Sequence, residues 1–172
     1  MAMLTITGST TRMRTALLGI GAIGRNLEPV LEAASLGLVR NVHQRFEAGE
    51  DPDGRKWADY APLNPVYALT KEGPSILIGM GGFRSGLAGS ITGQARGNVL
   101  VIGSNKIYAA VHQFGAIIQP KDARQLSFSM GGRLWHLDSV EVPARPYLGF
   151  SERDHETVVD ALELFLAASM RG

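Results

Sequence analysis

A stripe of apolar residues at helical spacing constrains the fold of this chain more than any other feature. The apolar side chains recur at intervals of three and four, at Leu27, Leu31, Ala34, Leu38, Val42 and Phe46. This spacing places them on one face of an α-helix. Pro29 suits the first turn of such a helix, and Gly49 suits its C-terminus. The sequence therefore predicts a helix about 30 Å long that begins near Asn26 and packs one face into a core.

A second amphipathic helix is predicted at the C-terminal end. Ser151-Glu152-Arg153-Asp154 has the pattern of a capping box with Asp in place of Glu. Apolar side chains follow it at helical spacing, at Val158, Leu162, Phe165 and Leu166. The three nearby acidic residues, Glu152, Asp154 and Glu156, lie where a helix N-terminus favours negative charge, so we interpret them as structural rather than as a catalytic pair.

The segment between these helices is predicted to form strands. Residues 87–92 and 99–103 flank a turn at residues 95–98, and the continuous apolar run Val99–Ile102 predicts a strand buried on both faces. Residues 125–129 and 133–142 are joined through Gly131-Gly132, a hairpin signal. Residues 107–114 match a helical stripe but form a short run, so helix and strand both stay open. The order helix, sheet, helix predicts an α+β fold, with both helices packed on a small, mainly antiparallel sheet that carries extended loops or arms.

Length and composition limit the domain organisation and the partners. A chain of 172 residues predicts one domain, which we place at residues 26–172 behind an N-terminal segment or arm at residues 1–25. A net charge of +1 gives no support to binding along a phosphate backbone. The absence of cysteine removes disulfides and thiolate chemistry. The longest weakly polar run, residues 15–24, is too short to cross a bilayer, so no membrane association is expected.

Gly19-Ile20-Gly21-Ala22-Ile23-Gly24 matches the glycine fingerprint of dinucleotide-binding sites. That fingerprint needs a preceding strand and an acidic residue about 20 positions later. Residues 10–15 make a poor strand, and the nearest acidic candidate, Glu47, lies inside the predicted helix. We therefore favour an N-terminal segment without a cofactor, and keep a small nucleotide-binding enzyme as the alternative.

Other candidate sites for chemistry have simpler explanations. No two of the four histidines are four residues apart, and no serine lies in a Gly-x-Ser-x-Gly elbow. Lys121, Arg124 and Arg133 surround a possible hairpin with Phe128 and Trp135, a mixture that can hold single-stranded nucleic acid. A solvated hairpin face is the commoner explanation, and single-strand binding is the second alternative. We predict no catalytic, cofactor or metal site.

One arginine lies in a stiff apolar connector. Pro143 and Pro146 fix the backbone on both sides of Arg145, which is the only charged residue between Glu141 and Glu152. A guanidinium is better suited than an ammonium to pairing away from water. Arg145 is therefore predicted to be a buried or interfacial anchor.

Several segments, taken in order from about residue 40 to the C-terminus, carry a family resemblance. They are Arg45-Phe46 with Gly49, Asp51–Trp57, Gly86-Leu87 with Ser90-Ile91, Ile102–Asn105, Tyr108-Ala109 with His112–Gly115, and Val142–Phe150. In order and spacing they resemble the virion morphogenesis family of tailed phages, which includes tail-completion proteins. Residues 1–25 match nothing in that pattern.

The resemblance implies a small, non-enzymatic α+β subunit at the head–tail junction of the virion, assembled in the host cytoplasm. It implies a ring of identical copies, expected to be a hexamer, that completes or terminates the tail and joins it to the head. The expected partners are further copies, the neighbouring connector and tail-tube proteins, and DNA passing through the channel without sequence-specific binding. We expect residues 1–25 and 73–98 to be assembly arms. The interface or structural candidates are Trp57, Tyr108, His112, Phe114, Arg145 and Tyr147.

Overall fold

The computed structural model describes residues 26–73, 75–79, 82 and 86–169, together with positions 14, 18, 21 and 24. The helices are α1 (Glu28–Ala48), α2 (Trp57–Tyr60), α3 (Pro65–Thr70), α4 (Ala109–Phe114) and α5 (Glu152–Ser169). The strands are β1 (Ile91–Arg96), β2 (Val99–Ser104), β3 (Ala116–Ile118), β4 (Leu126–Met130), β5 (Arg133–Leu137) and β6 (Val140–Val142). This arrangement confirms the predicted α+β class. Most of the predicted N-terminal arm lies outside the described residues.

Helix α1 largely follows the predicted apolar stripe, although Leu27 and Leu31 are only partly buried and the buried Val30 was not predicted. Val30, Ala34, Leu38, Val42 and Phe46 are buried along one face. The helix ends at Gly49, which has a left-handed backbone (φ 67°), and the Gly49 N–H bonds back to the Arg45 carbonyl. A residue without a Cβ adopts that conformation at no steric cost, which explains why the helix stops there.

In the described part of the chain, the strands form three separate two-stranded antiparallel sheets, β1–β2, β3–β6 and β4–β5. In the first sheet Ile91 pairs with Ser104 and Arg96 pairs with Val99, so the turn is only Gly97-Asn98. The strand predicted to begin at residue 87 begins only at Ile91. Residues Ala88–Ser90 instead form a short 3₁₀ turn in which Ala88 is buried.

The prediction that both faces of residues 99–102 are buried is wrong. Val99 and Val101 are 59% and 63% exposed, whereas Leu100 and Ile102 are partly buried on the other face. Helix α1 contacts both strands of this hairpin and covers that second face. The apolar run therefore reflects one face in the core and one face open at the surface.

The predicted single strand at residues 133–142 is also wrong, because β5 and β6 belong to different sheets. The Gln125 amide donates to Asp138 Oδ1 (3.0 Å) and closes the base of the β4–β5 hairpin. The chain then turns, and Val140–Val142 pair with Ala116–Ile118.

The core lies beneath the C-terminal half of α1. Phe46, Trp57 and Tyr147 are its largest fully buried side chains. The ring centroid of Phe46 lies 5.8 Å from that of Trp57, edge to face, and 5.2 Å from that of Tyr147. The polar atoms of these rings are satisfied, since Trp57 Nε1 donates to the Pro146 carbonyl (3.1 Å) and the Tyr147 hydroxyl donates to the Ala109 carbonyl (3.2 Å). Tyr147 therefore brings the segment between β6 and α5 into the core.

Helix α5 packs along α1 through a close approach at Gly37. A Cβ at that position would collide with the Thr157 side chain, so glycine is what lets the helices meet. One turn further along α1, the Asn41 amide donates to Asp154 Oδ1 and to the Thr157 hydroxyl, both at 2.9 Å. This contact fixes the start of α5 against the middle of α1.

Candidate functional site

The connector between β6 and α5 is the most heavily bonded irregular segment of the described chain, and Arg145 lies at its centre. Arg145 Nε donates to the Ala61 carbonyl (2.8 Å), and Nη2 donates to the Pro62 carbonyl (2.9 Å). Its backbone N–H donates to the His112 carbonyl (2.7 Å). Burial lowers the pKa of Arg145 from its ordinary value. Arg145 therefore ties the connector to the end of α2 and to α4.

Gln113 holds the next two residues of the connector. Its Oε1 accepts from the backbone N–H groups of Tyr147 and Leu148, both at 3.0 Å. Its Nε2 donates to the Leu148 carbonyl (2.8 Å). One side-chain amide thus takes the place of a strand partner for backbone that belongs to no sheet. Gln113 was not among the predicted site residues.

Arg45 holds the far end of the connector. Its guanidinium donates to the carbonyls of Tyr147 (3.3 Å) and Gly149 (3.2 Å) and to the Ser151 hydroxyl (2.9 Å), and it forms an ion pair with Asp154. Both side chains of the pair are buried. Sequence analysis missed this role, although an arginine one residue before Phe46 on the buried face of α1 was a usable signal.

Asp154 also confirms the predicted capping box. Its Oδ2 accepts from the Ser151 backbone N–H and hydroxyl, both at 2.9 Å, while the Asp154 N–H donates to the Ser151 hydroxyl (3.3 Å). Burial alone would raise the pKa of Asp154, but the hydrogen bonds from Ser151 and Asn41 and the charge of Arg45 lower it overall. The carboxylate is therefore ionised at neutral pH and serves a structural role.

The six predicted site residues cluster around α4 and the connector but differ in exposure. Trp57, Arg145 and Tyr147 are buried within the subunit. Tyr108 is 39% exposed and Phe114 is 77% exposed. The buried three are placed to hold the fold, and the exposed pair is free to meet another molecule. Their interface roles stay predictions.

His112 is partly buried beneath Tyr108, with ring centroids 5.9 Å apart in an edge-to-face arrangement. Its Nδ1 is a buried atom without a hydrogen-bond partner in the structure. Burial, and then the charge of Arg145, lower the pKa of the imidazole. It borders a cleft of about 260 Å³ that Lys71 and Arg145 also line. His112 is therefore neutral at pH 7.

Two kinds of site are not found in the part of the chain that the structure describes. Across residues 26–73, 75–79 and 86–169 and the isolated positions, no group of three His, Asp or Glu side chains could hold a metal ion. In the same part of the chain no helix is long and apolar enough to cross a membrane. The Gly19–Gly24 motif lies outside the described residues except for Gly21 and Gly24, which have helical backbone.

Large apolar side chains are instead exposed on ordered elements. Ile107 is 98% exposed, and with Phe114 and Ile117 it marks the surface around α4 and β3. In the hairpin considered for single-strand binding, Phe128 and Trp135 pair across the strands and are only half-buried. Such surfaces are typical of proteins that bind other proteins.

Comparison with known proteins places the chain in a family. The phage virion morphogenesis family matches residues 9–167. A protein of Escherichia phage Mu named "Putative capsid assembly protein G" is 27% identical over 163 residues, which cover 93% of this chain and 92% of that protein. No solved structure matches the chain significantly. Because the family match spans nearly the whole sequence, the relationship extends to the entire described fold, and the chain belongs to the phage virion morphogenesis family.

Proposed function

We propose that this protein is a structural, non-enzymatic subunit of the phage neck. Copies assemble into a ring, expected to be a hexamer, that completes or terminates the tail and joins it to the head. The ring surrounds the channel through which DNA passes, without reading its sequence. The family supports a role in virion morphogenesis, and the name of the phage Mu relative supports a role in assembly.

The observation that carries the proposal is exposed apolar surface on several separate elements. Leu36 and Leu164 are 75% and 72% exposed on the two long helices. Val99 and Val101 lie open on β2, and Ile107 on the segment before α4. A ring requires heterologous contacts, in which one surface of a copy meets a different surface of the next. Separate apolar surfaces on one rigid subunit satisfy that requirement.

Light scattering across a concentration series, with negative-stain microscopy of the same samples, tests the ring. We expect particles of one fixed size with a central opening. A monodisperse monomer at every concentration contradicts the proposal.

A thermal-shift scan with NAD, NADP, ATP and GTP tests the absence of nucleotide chemistry. A ligand present at 100 times its dissociation constant stabilises a folded protein by about 2.7 kcal/mol. We expect no shift with any of the four nucleotides. A shift that disappears in Gly21→Val would instead favour a nucleotide-binding protein.

A further inference from the structure

The β4–β5 hairpin has an apolar face that its own subunit covers poorly. Leu126, Phe128 and Met130 on β4 pair with Leu137, Trp135 and Arg133 on β5, and paired residues share one face. The hairpin packs against α3. Val66 of α3 lies so close to Gly131 that a Cβ added to Gly131 would be 2.6 Å from the Val66 side chain. None of residues 126–137 is buried.

A partner that covered this hairpin would stabilise it. A two-stranded ribbon is marginally stable alone, and covering its half-exposed apolar side chains is favourable. Arg133 is exposed beside Met130 at the tip of the apolar face. Residues 126–137 contain no acidic side chain, so the tip presents a positive charge next to apolar surface.

The groove between α1 and α5 is apolar and carries acidic side chains on its α5 side. It encloses about 570 Å³, and its apolar lining includes Leu36, Ala161 and Leu164. Asp160 lies in the groove and is exposed, and Glu163 lies exposed one turn further along α5. Residues 156–169 contain three acidic side chains and no Lys or Arg. The α5 side of the groove is therefore negative, while the exposed Arg40 of α1 lines the opposite side.

We propose that the β4–β5 hairpin of one copy docks in the α1–α5 groove of the next copy, with Arg133 against Asp160 and Glu163. Each subunit then offers an apolar arm with a positive tip and an apolar groove whose α5 side is negative. These are two different surfaces of one chain, as a heterologous contact requires. The match of charge sets the partner and the register, while the apolar faces provide the burial. The inference rests on the proposed ring.

The absence of cysteine from the sequence allows a direct test of this pairing. Arg133→Cys and Glu163→Cys are prepared separately, mixed in equal amounts and treated with a short bismaleimide that joins two thiols. We expect a covalent dimer in the mixture and little in either variant alone. Gln94→Cys, an exposed position on β1, is the matched control, and its mixture with Arg133→Cys should not link.

Charge reversal provides a second measurement on the full chain. Arg133→Glu should raise the concentration for half-assembly by about tenfold, because it places like charges together. The double variant Asp160→Arg with Glu163→Arg should do the same. Combining all three substitutions in one chain should restore assembly, and circular dichroism checks that each variant is folded.

The outcomes separate the docking inference from the proposed ring. A wild-type protein that stays monomeric overturns both. A wild-type protein that forms rings while Arg133→Cys and Glu163→Cys fail to link overturns the docking inference alone. Efficient linking of Arg133→Cys to itself also overturns it, since that result indicates contact between identical surfaces.

Discussion

Arg45 and Asp154 lie 109 residues apart in the chain and form a buried ion pair. The Asp154 carboxylate also accepts from the backbone N–H and hydroxyl of Ser151, so it caps α5 at the same time. One side chain therefore sets both where α5 begins and which part of α1 it meets.

Asp154→Asn is expected to destabilise the fold by about 3–5 kcal/mol, because it leaves the Arg45 guanidinium buried without a counter-charge. Urea denaturation at pH 7 measures the change. Glu156→Gln removes an exposed carboxylate from the same helix and should change stability by less than about 0.5 kcal/mol. Equal effects of the two substitutions would contradict the role of the pair.

The contribution of Asp154 to the stability of the fold should depend on pH. Its pKa is lowered in the folded state, so its stabilisation is present above the pKa of the unfolded carboxyl and is lost as pH falls through the folded value. The stability difference between the wild type and Asp154→Asn should therefore narrow below about pH 4. A difference that stays constant from pH 7 to pH 3 would show that the charge is unimportant.

Arg145→Ala should cost about 3 kcal/mol of stability, because it removes two charged donors and leaves the Ala61 and Pro62 carbonyls unpaired. Arg145→Lys should recover only part of this loss, since one ammonium cannot reproduce the fork of Nε and Nη2. Thermal and urea unfolding measure both variants. An alanine variant as stable as the wild type, with normal assembly, would rule out the anchor.

His112 should make the protein less stable in mild acid. Its folded pKa is lowered, so between that value and about 6.5 the unfolded chain binds more protons and stability falls as pH falls. The wild type should lose more stability between pH 7 and pH 5 than His112→Phe does. His155→Phe, at an exposed position, should keep the loss seen in the wild type. If the free energy of unfolding fell equally with pH in the wild type and in His112→Phe, the role of His112 would be contradicted.

Gly37→Ala should destabilise the protein by about 1–3 kcal/mol, because the new methyl group meets the Thr157 side chain. In an open helix the same substitution would stabilise. Gly21→Ala, at a helical position with nothing within 4 Å, is the control and should be neutral or favourable. If Gly21→Ala destabilised the protein more than Gly37→Ala does, α5 would have to move freely relative to α1.

The local pattern of the sequence was enough to predict α1, α5 and the α+β class. Their signals are local, namely a helical stripe, a left-handed glycine and a capping box. The faces of β2 were not predictable in this way. Val99 and Val101 are as apolar as Leu100 and Ile102, and exposure depends on which side α1 covers.

The site was predicted only in part for the same reason. Arg145 was identified because two prolines isolate it, and the structure buries it. Gln113 and Arg45 bond to backbone groups 34 to 104 residues away, so nothing near them in sequence shows their targets. The boundary between β5 and β6 likewise depends on the pairing of β6 with β3.

The position of Tyr147 has a consequence for synthesis on the ribosome. Phe46 and Trp57 are made early, but the Pro146 carbonyl that accepts from Trp57 is added 89 residues after it. The Tyr147 ring that packs against Phe46 follows directly after Pro146. A nascent chain that stops before the connector lacks the groups that close its core. The subunit is therefore expected to complete its core only after translation has passed Tyr147.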